Sequence, residues 1–223
     1  MAWVGTGAVW TMTGGVLKGM PIEQAARGHM AGMRQPMAGG DLRFVQISDS
    51  HIGFNKDANP DVTATLRAAI AKIKAMPQAP SFLLHTGDLT HLSKPEEFDT
   101  LQQELSGVGA PVFYVPGEHD VLNDNGKSYL ARYGKNTQGA GWYSFDQAGV
   151  HFIGLVNVVD LKAGGLGTLG TEQLEWLEKD VKRLKSSTPI VIFAHIPLWS
   201  VYPEWGWGTD DSARALAYVK RFG

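Results

Sequence analysis

Asp88 closes the stretch Phe82-Leu83-Leu84-His85-Thr86-Gly87. This is an apolar run of strand length, and its glycine lets the backbone turn sharply. Three further runs repeat the design: Phe44 to Ser48 leads into Asp49-Ser50-His51, Pro111 to Val115 into Pro116-Gly117-Glu118-His119-Asp120, and Pro189 to Ala194 into His195. In open α/β sheets, ligand crevices lie at the carboxyl ends of strands. Carboxylates and imidazoles gathered there suit a metal site, and we read the four runs as one such site with Asp88 at its centre.

The spacing suggests how the work divides. Asp49 and His51 are two residues apart, which in extended chain puts both side chains on one face, about 7 Å apart along the backbone. Both can reach one cation. Asp88 can bridge two cations through its two oxygens, and Glu118 and His195 can hold the second. Two metals about 3.5–4 Å apart clamp the attacking and leaving oxygens of an in-line displacement and activate a water between them. His119 is then available as general acid, with Asp120 to orient its ring.

The elements that must position these groups alternate. Strands are expected at Leu42 to Ile47, Phe82 to His85, Val112 to Val115 and Ile190 to Ala194. Asn59-Pro60 opens a helix with an apolar stripe of Leu66, Ala69, Ile70 and Ile73. Ser93 and Glu96 have capping-box spacing ahead of Phe98, Leu101 and Leu105. A short helix is expected at Ser128 to Tyr133. The runs from Trp142 and from Val150 form a hairpin around Asp146-Gln147-Ala148-Gly149. Thr171 can cap a helix carrying Leu174, Leu177, Val181 and Leu184, and Thr209 opens the last one. The pattern predicts a layered α/β domain with mixed sheets.

With 223 residues, 43% of them hydrophobic, the chain can bury a core. A net charge of −2 leaves no basic footprint for nucleic acid. The absence of cysteine excludes disulfides, thiolate ligands and a cysteine nucleophile. Residues Met1 to Leu17 carry no charge before Lys18 and hold Gly5, Gly7, Gly14 and Gly15. They are too short and glycine-rich for a stable membrane span, and they look like the apolar region of an export signal without its basic start. The stretch through Gly40 shows no helical or strand period and reads as a linker. The expected division is therefore 1–40, export remnant and linker, and 41–223, the domain.

Asp-x-His, Gly-Asp-Leu-Thr-His, Gly-Glu-His-Asp and Ala-His, in this order from Leu42 onward, resemble the calcineurin-like metallophosphoesterase family. The resemblance implies a four-layer α-β-β-α sandwich, two divalent or trivalent metal ions (Mn, Fe or Zn), and hydrolysis of phosphate mono- or diesters by metal-bound hydroxide. It assigns Asp49, His51 and Asp88 to the first metal, Asp88, Glu118 and His195 to the second, and makes His119 the proton donor. The first forty residues look like the twin-arginine export segment of some members, without the arginines, which implies a periplasmic or secreted protein; the alternative is cytoplasmic. Two features depart from the family. Asn usually stands where this chain has Glu118; a carboxylate binds metal more tightly but offers no N–H to a phosphate. The family's Gly-His-x-His does not occur before Gly223, so the chain is expected to be truncated and to lack two ligands.

Other residues admit plainer readings. His85 is expected to be a packed histidine, and His91 either a partner of the site or a surface residue. Trp199, Tyr202, Trp205 and Trp207 can stack a substrate's base or aryl group, or form a lid on Trp142 and Tyr143. Lys179, Lys182, Arg183 and Lys185 read as a solvated helix face. The partner expected is a small phosphate ester. The alternatives are a cyclic-nucleotide phosphodiesterase, and an impaired fragment or pseudoenzyme serving in binding or assembly.

Overall fold

The structure, a computed structural model, describes residues 7–13, 16–26, 42–161, 165–200, 204 and 206–222. The chain divides into two compact units, Met1–Tyr114 and Val115–Gly223.

The first unit is built on a five-stranded mixed sheet. Its strands are β1 (Gly7–Thr13), β2 (Val16–Pro21), β3 (Leu42–Ile47), β4 (Phe82–His85) and β5 (Val112–Tyr114), in the order β2-β1-β3-β4-β5. β3, β4 and β5 are parallel, whereas β1 runs antiparallel to both β2 and β3. All four residues of β4 are buried, as a central strand covered on both faces requires. Helices α1 (Ile22–Ala26), α2 (Val62–Lys74) and α3 (Pro95–Ser106) complete the unit. On α2, Val62, Leu66, Ile70 and Ile73 are buried at helical spacing; Phe98, Leu101 and Leu105 do the same on α3.

Residues 7–26 correct the expectation of a linker without strands. Val9 and Thr11 are buried, alternate along β1, and face the interior as a strand requires. The glycines that suggested looseness permit close approach instead. Trp10 lies opposite Gly19 across the β1–β2 pair, and a Cβ on Gly19 would stand 2.8 Å from the indole. The same indole donates to Gln46 Oε1 at 3.2 Å and stacks on Phe44, which stacks on Phe82 at 5.2 Å.

The second unit holds a three-stranded mixed sheet of β6 (Tyr143–Gln147), β7 (Val150–Gly154) and β9 (Ile190–Phe193). β6 and β7 are the antiparallel hairpin expected, and β9 pairs parallel to β7. β8 (Leu166–Gly167) and β10 (Gly208–Thr209) form a short parallel pair. The helices are α4 (Lys127–Tyr133), α5 (Gly170–Lys182) and α6 (Ser212–Val219). Leu174, Leu177 and Val181 of α5 and Ala215 of α6 share a buried cluster with Ile153 and Leu155. Each buried Leu, Ile or Val of this cluster contributes about 1.5–3 kcal/mol.

Helix starts differ locally from expectation. Asp61, not Asn59, caps α2, accepting from Ala64 N–H at 2.8 Å, while Asn59 is engaged with the Thr65 hydroxyl. On α3 the reciprocal bond is made one residue later, by Glu97, whose Oε2 accepts from Leu92 N–H at 2.8 Å and Lys94 N–H at 3.3 Å. The N–H groups at the start of α5 are met by Asp211 rather than Thr171. Thr209 lies in β10, before α6. No helix among the described residues is long and apolar enough to cross a membrane.

Candidate metal centre

In the first unit, the β3–β4 pairing continues past the strands into the two loops that carry the expected ligands. Thr86 N–H donates to Ile47 O at 2.9 Å, Asp49 N–H to Gly87 O at 3.0 Å, His51 N–H to Asp88 O at 2.9 Å and Ile52 N–H to Leu89 O at 3.1 Å. Along this ladder Asp49, His51 and Asp88 adopt left-handed φ values of 58°, 42° and 51°. Asp and His tolerate that region better than most residues, yet each costs on the order of 1 kcal/mol. Three residues of ligand type thus share this uncommon conformation in two adjacent loops.

The side chains converge. His51 Nε2 lies 3.3 Å from Asp88 Oδ2 and 3.8 Å from Asp49 Oδ1, and one donor atom from each residue lies within 4.8 Å of the others. His51 and Asp88 are buried. With metal–ligand bonds of about 2.0–2.2 Å, two donors on one ion stand roughly 3–4 Å apart. The His51–Asp88 and His51–Asp49 distances therefore fit a shared cation. Two carboxylates brought together, Asp88 buried and Asp49 partly so, favour a compensating positive charge. Oxygen and imidazole donors suit Mn, Fe, Zn or Mg.

Ser50 sits between the two expected ligands of the first loop and bonds to His85, which is completely buried as expected. His85 stacks on Tyr114, whose hydroxyl burial pushes up to about 12, so that ring stays neutral. His91 is half-buried, with its ring edge-on to Phe54 at 5.1 Å and to His51 at 5.9 Å.

In the second unit, Glu118, His119 and Asp120 form a single turn of 3-10 helix. Asp120, expected beside the His119 ring, is fully buried, and its Oδ2 accepts from Gly117 N–H at 2.9 Å, bracing the turn. His195 Nε2 lies 3.0 Å from Glu118 Oε2. Burial alone would raise the Glu118 carboxyl; the hydrogen bond and charge of His195 outweigh it and hold the group below its ordinary value. Trp199 and Trp207 are 61% and 45% exposed. Tyr202 and Trp205 lie outside the described residues.

Two buried polar networks escaped the sequence reading. Asn157 donates to Ile196 O at 2.7 Å and to the Thr209 hydroxyl at 2.8 Å, fixing the residue after His195. His151, for which the sequence offered no context, is 1% exposed and bonded at both ring nitrogens: Nδ1 to Asp146 Oδ1 at 2.7 Å and Nε2 to Asp180 Oδ2 at 2.8 Å. Asp180 also accepts from Ser144 and from Arg183, whose side chain stays largely solvated as expected of that helix face. Asp146 and His151 are register partners in the hairpin, and Asp180 stands one turn from Leu177 on the buried face of α5. An acid on an apolar helix stripe is the signal that could have found this pair.

The calcineurin-like phosphoesterase profile matches residues 42–221. Among proteins of similar sequence are a probable glycerophosphodiester phosphodiesterase, GpdQ, of Arcobacter nitrofigilis, 25% identical over 69% of this chain and 57% of that protein. Another is a 3',5'-cyclic-nucleotide phosphodiesterase of Nostoc sp., 27% identical over 74% of this chain and 60% of that protein. The chain thus spans less than two thirds of the length of these curated relatives. Its fold is similar to that of a dimetal phosphatase from Danio rerio, with a TM-score of 0.57 at 16% identity, covering 79% of this chain and 76% of that one. The match to a purple acid phosphatase from yellow lupin has a TM-score of 0.54 at 15% identity, covering 93% of this chain and 50% of that one. These solved structures bear out the expected α/β class of mixed sheets with helices. With its ordered motifs and a profile match over most of its length, the chain belongs to the calcineurin-like phosphoesterase family.

Proposed function

We propose that the protein is a metal-dependent hydrolase of phosphate esters, with phosphodiesters the favoured class. The observation that carries this reading is the convergence of Asp49, His51 and Asp88 at the ends of two adjacent parallel strands. These three would hold one metal ion. Glu118 and His195 would belong to the ligand set of a second. When bound, the ions supply Lewis acidity, which activates water and offsets the charge of the phosphate. The remaining work falls to the chain's own groups. His119 donates a proton to the departing oxygen, and Asp120 fixes the backbone turn that presents both Glu118 and His119. Glu118 contributes a full negative charge where the family's Asn would be neutral, which favours cation binding and disfavours a dianionic monoester more than a monoanionic diester. That preference, and the phosphodiesterase names of two relatives, support diesters over monoesters.

A cyclic-nucleotide substrate is a second reading. Exposed Trp199 and Trp207 can stack a nucleobase, and one relative is a 3',5'-cyclic-nucleotide phosphodiesterase. Hydrolysis of bis(p-nitrophenyl) phosphate, with and without added Mn2+ and a chelator, tests the main reading. Metal-dependent turnover lost in Asp49→Asn is expected; turnover insensitive to chelator and to that substitution would reject it.

A further inference from the structure

We propose that His85 and Ser50 form a positioning strut that holds the Asp49–Ser50–His51 turn in the shape that presents its two ligands. The inference rests on the metal-binding reading of Asp49, His51 and Asp88. His85 ends β4 and is 0% exposed. Its Nε2 lies 2.8 Å from Ser50 Oγ, and the Ser50 hydroxyl in turn donates to Leu89 O at 3.1 Å. A hydroxyl has one proton. With that proton given to Leu89 O, the Ser50 oxygen can accept from His85 Nε2–H; in either ring tautomer the 2.8 Å contact joins the two side chains.

The position of this bond gives it consequence. Ser50 is the middle residue of the turn, and its neighbours Asp49 and His51 both hold left-handed φ values. The backbone ladder ties down the two neighbours through Asp49 N–H and His51 N–H. Between them, the Ser50 side chain ties the centre of the turn to two points of the adjacent strand and loop. One is His85, three residues before Asp88; the other is Leu89, immediately after it. One hydroxyl thus couples both ligand loops of the first unit. Stacking on Tyr114 at 6.2 Å restricts rotation of the His85 ring and keeps Nε2 aimed at Ser50. A histidine that only filled space could be replaced by phenylalanine without effect on the turn; a strut could not. In metal sites, partners that orient the ligands change affinity by roughly 10–100-fold when removed.

The test uses the full chain and the variants Ser50→Ala, His85→Phe, His85→Gln and the double variant Ser50→Ala/His85→Phe. The first readout needs no metal: amide hydrogen exchange of Asp49 and His51, compared with Phe152 of β7 as a distant control. We expect exchange at Asp49 and His51 to be faster by about tenfold in Ser50→Ala and His85→Phe, with Phe152 unchanged. The second readout is Mn2+ affinity by calorimetry, expected to be weaker by about tenfold in both. The double variant should lose no more than Ser50→Ala alone, because that substitution already removes the bond that His85 makes. His85→Gln, whose Nε2–H can reach the same hydroxyl, should recover most of the loss. Unchanged exchange at Asp49 and His51 in Ser50→Ala overturns the proposal, as does faster exchange spread equally to Phe152. Additive losses in the double variant also overturn it. If the wild type takes up no Mn2+ while exchange still responds as expected, the metal reading fails and the strut survives as a brace of the turn alone.

Discussion

Replacing His151 removes one of the two cationic partners, with Arg183, that bond the buried Asp180 carboxylate. His151 and Asp180 lie 2.8 Å apart, with side-chain exposures of 1% and 4%. At an effective dielectric of 20 and that distance, the attraction is about 6 kcal/mol before desolvation is subtracted. Removing one partner of a buried pair leaves the other charge uncompensated, which costs about 3–5 kcal/mol in comparable cases. Here Ser144 and Arg183 continue to bond Asp180 Oδ1, so the lower end applies, and His151→Phe should destabilise by about 3 kcal/mol. Asp146, 71% exposed, should matter far less, and Asp146→Asn should cost under about 1 kcal/mol.

The pH dependence of this effect has a definite sign. Burial opposes the charged imidazole, but the two carboxylates more than compensate and raise the His151 pKa. Its contribution is therefore complete below the unfolded value of about 6.5 and fades as pH rises through the elevated folded value. Burial likewise raises Asp180, yet His151 outweighs it and the net shift is downward. Asp180's contribution is present above about 3.9 and fades as pH falls through its depressed folded value. The gap between wild type and His151→Phe should thus be widest between about pH 4 and 6.5 and narrower at alkaline pH. Urea dependence of native-state exchange at the β7 amides measures it. A loss under about 0.5 kcal/mol, or the same loss at both ends of the pH range, would refute the charged-pair account.

Glu118→Asn should weaken the second metal by removing a charged ligand, yet lower the KM for a phosphodiester by restoring an N–H donor; metal titration of activity in both variants checks this. His51→Ala should weaken uptake of one metal equivalent without abolishing the other, as elemental analysis after dialysis would show. His119→Ala should retain metal but lose turnover of alkyl esters far more than of p-nitrophenyl esters, whose leaving group needs no proton. A uniform loss would make His119 a ligand instead.

The central strands were legible because apolar runs of strand length ended abruptly in acids and histidines. Leu42–Ile47 and Phe82–His85 are observed with the bounds expected. The acids and histidines at their ends were legible for the same reason: each alone could be a loop residue or a cap, but four apolar runs ending alike form a pattern. What the sequence hid depended on tertiary partners. The strand β1 was obscured by glycines whose role appears only when Trp10 is laid over Gly19. Asp211 caps α5 from 41 residues away, and Asp180 meets His151 across 29, so neither has a local signature. The helix starts slipped because Asp61 and Glu97 outcompeted equally plausible polar neighbours.

The most direct test of the account is metal uptake by the full chain, wild type against Asp88→Asn, measured by calorimetric titration with Mn2+ and Zn2+. The account predicts saturable binding by the wild type, with Asp88→Asn weaker by at least about tenfold because the substitution removes a buried charged ligand. Equal binding by the two proteins, or no binding by the wild type, would contradict it.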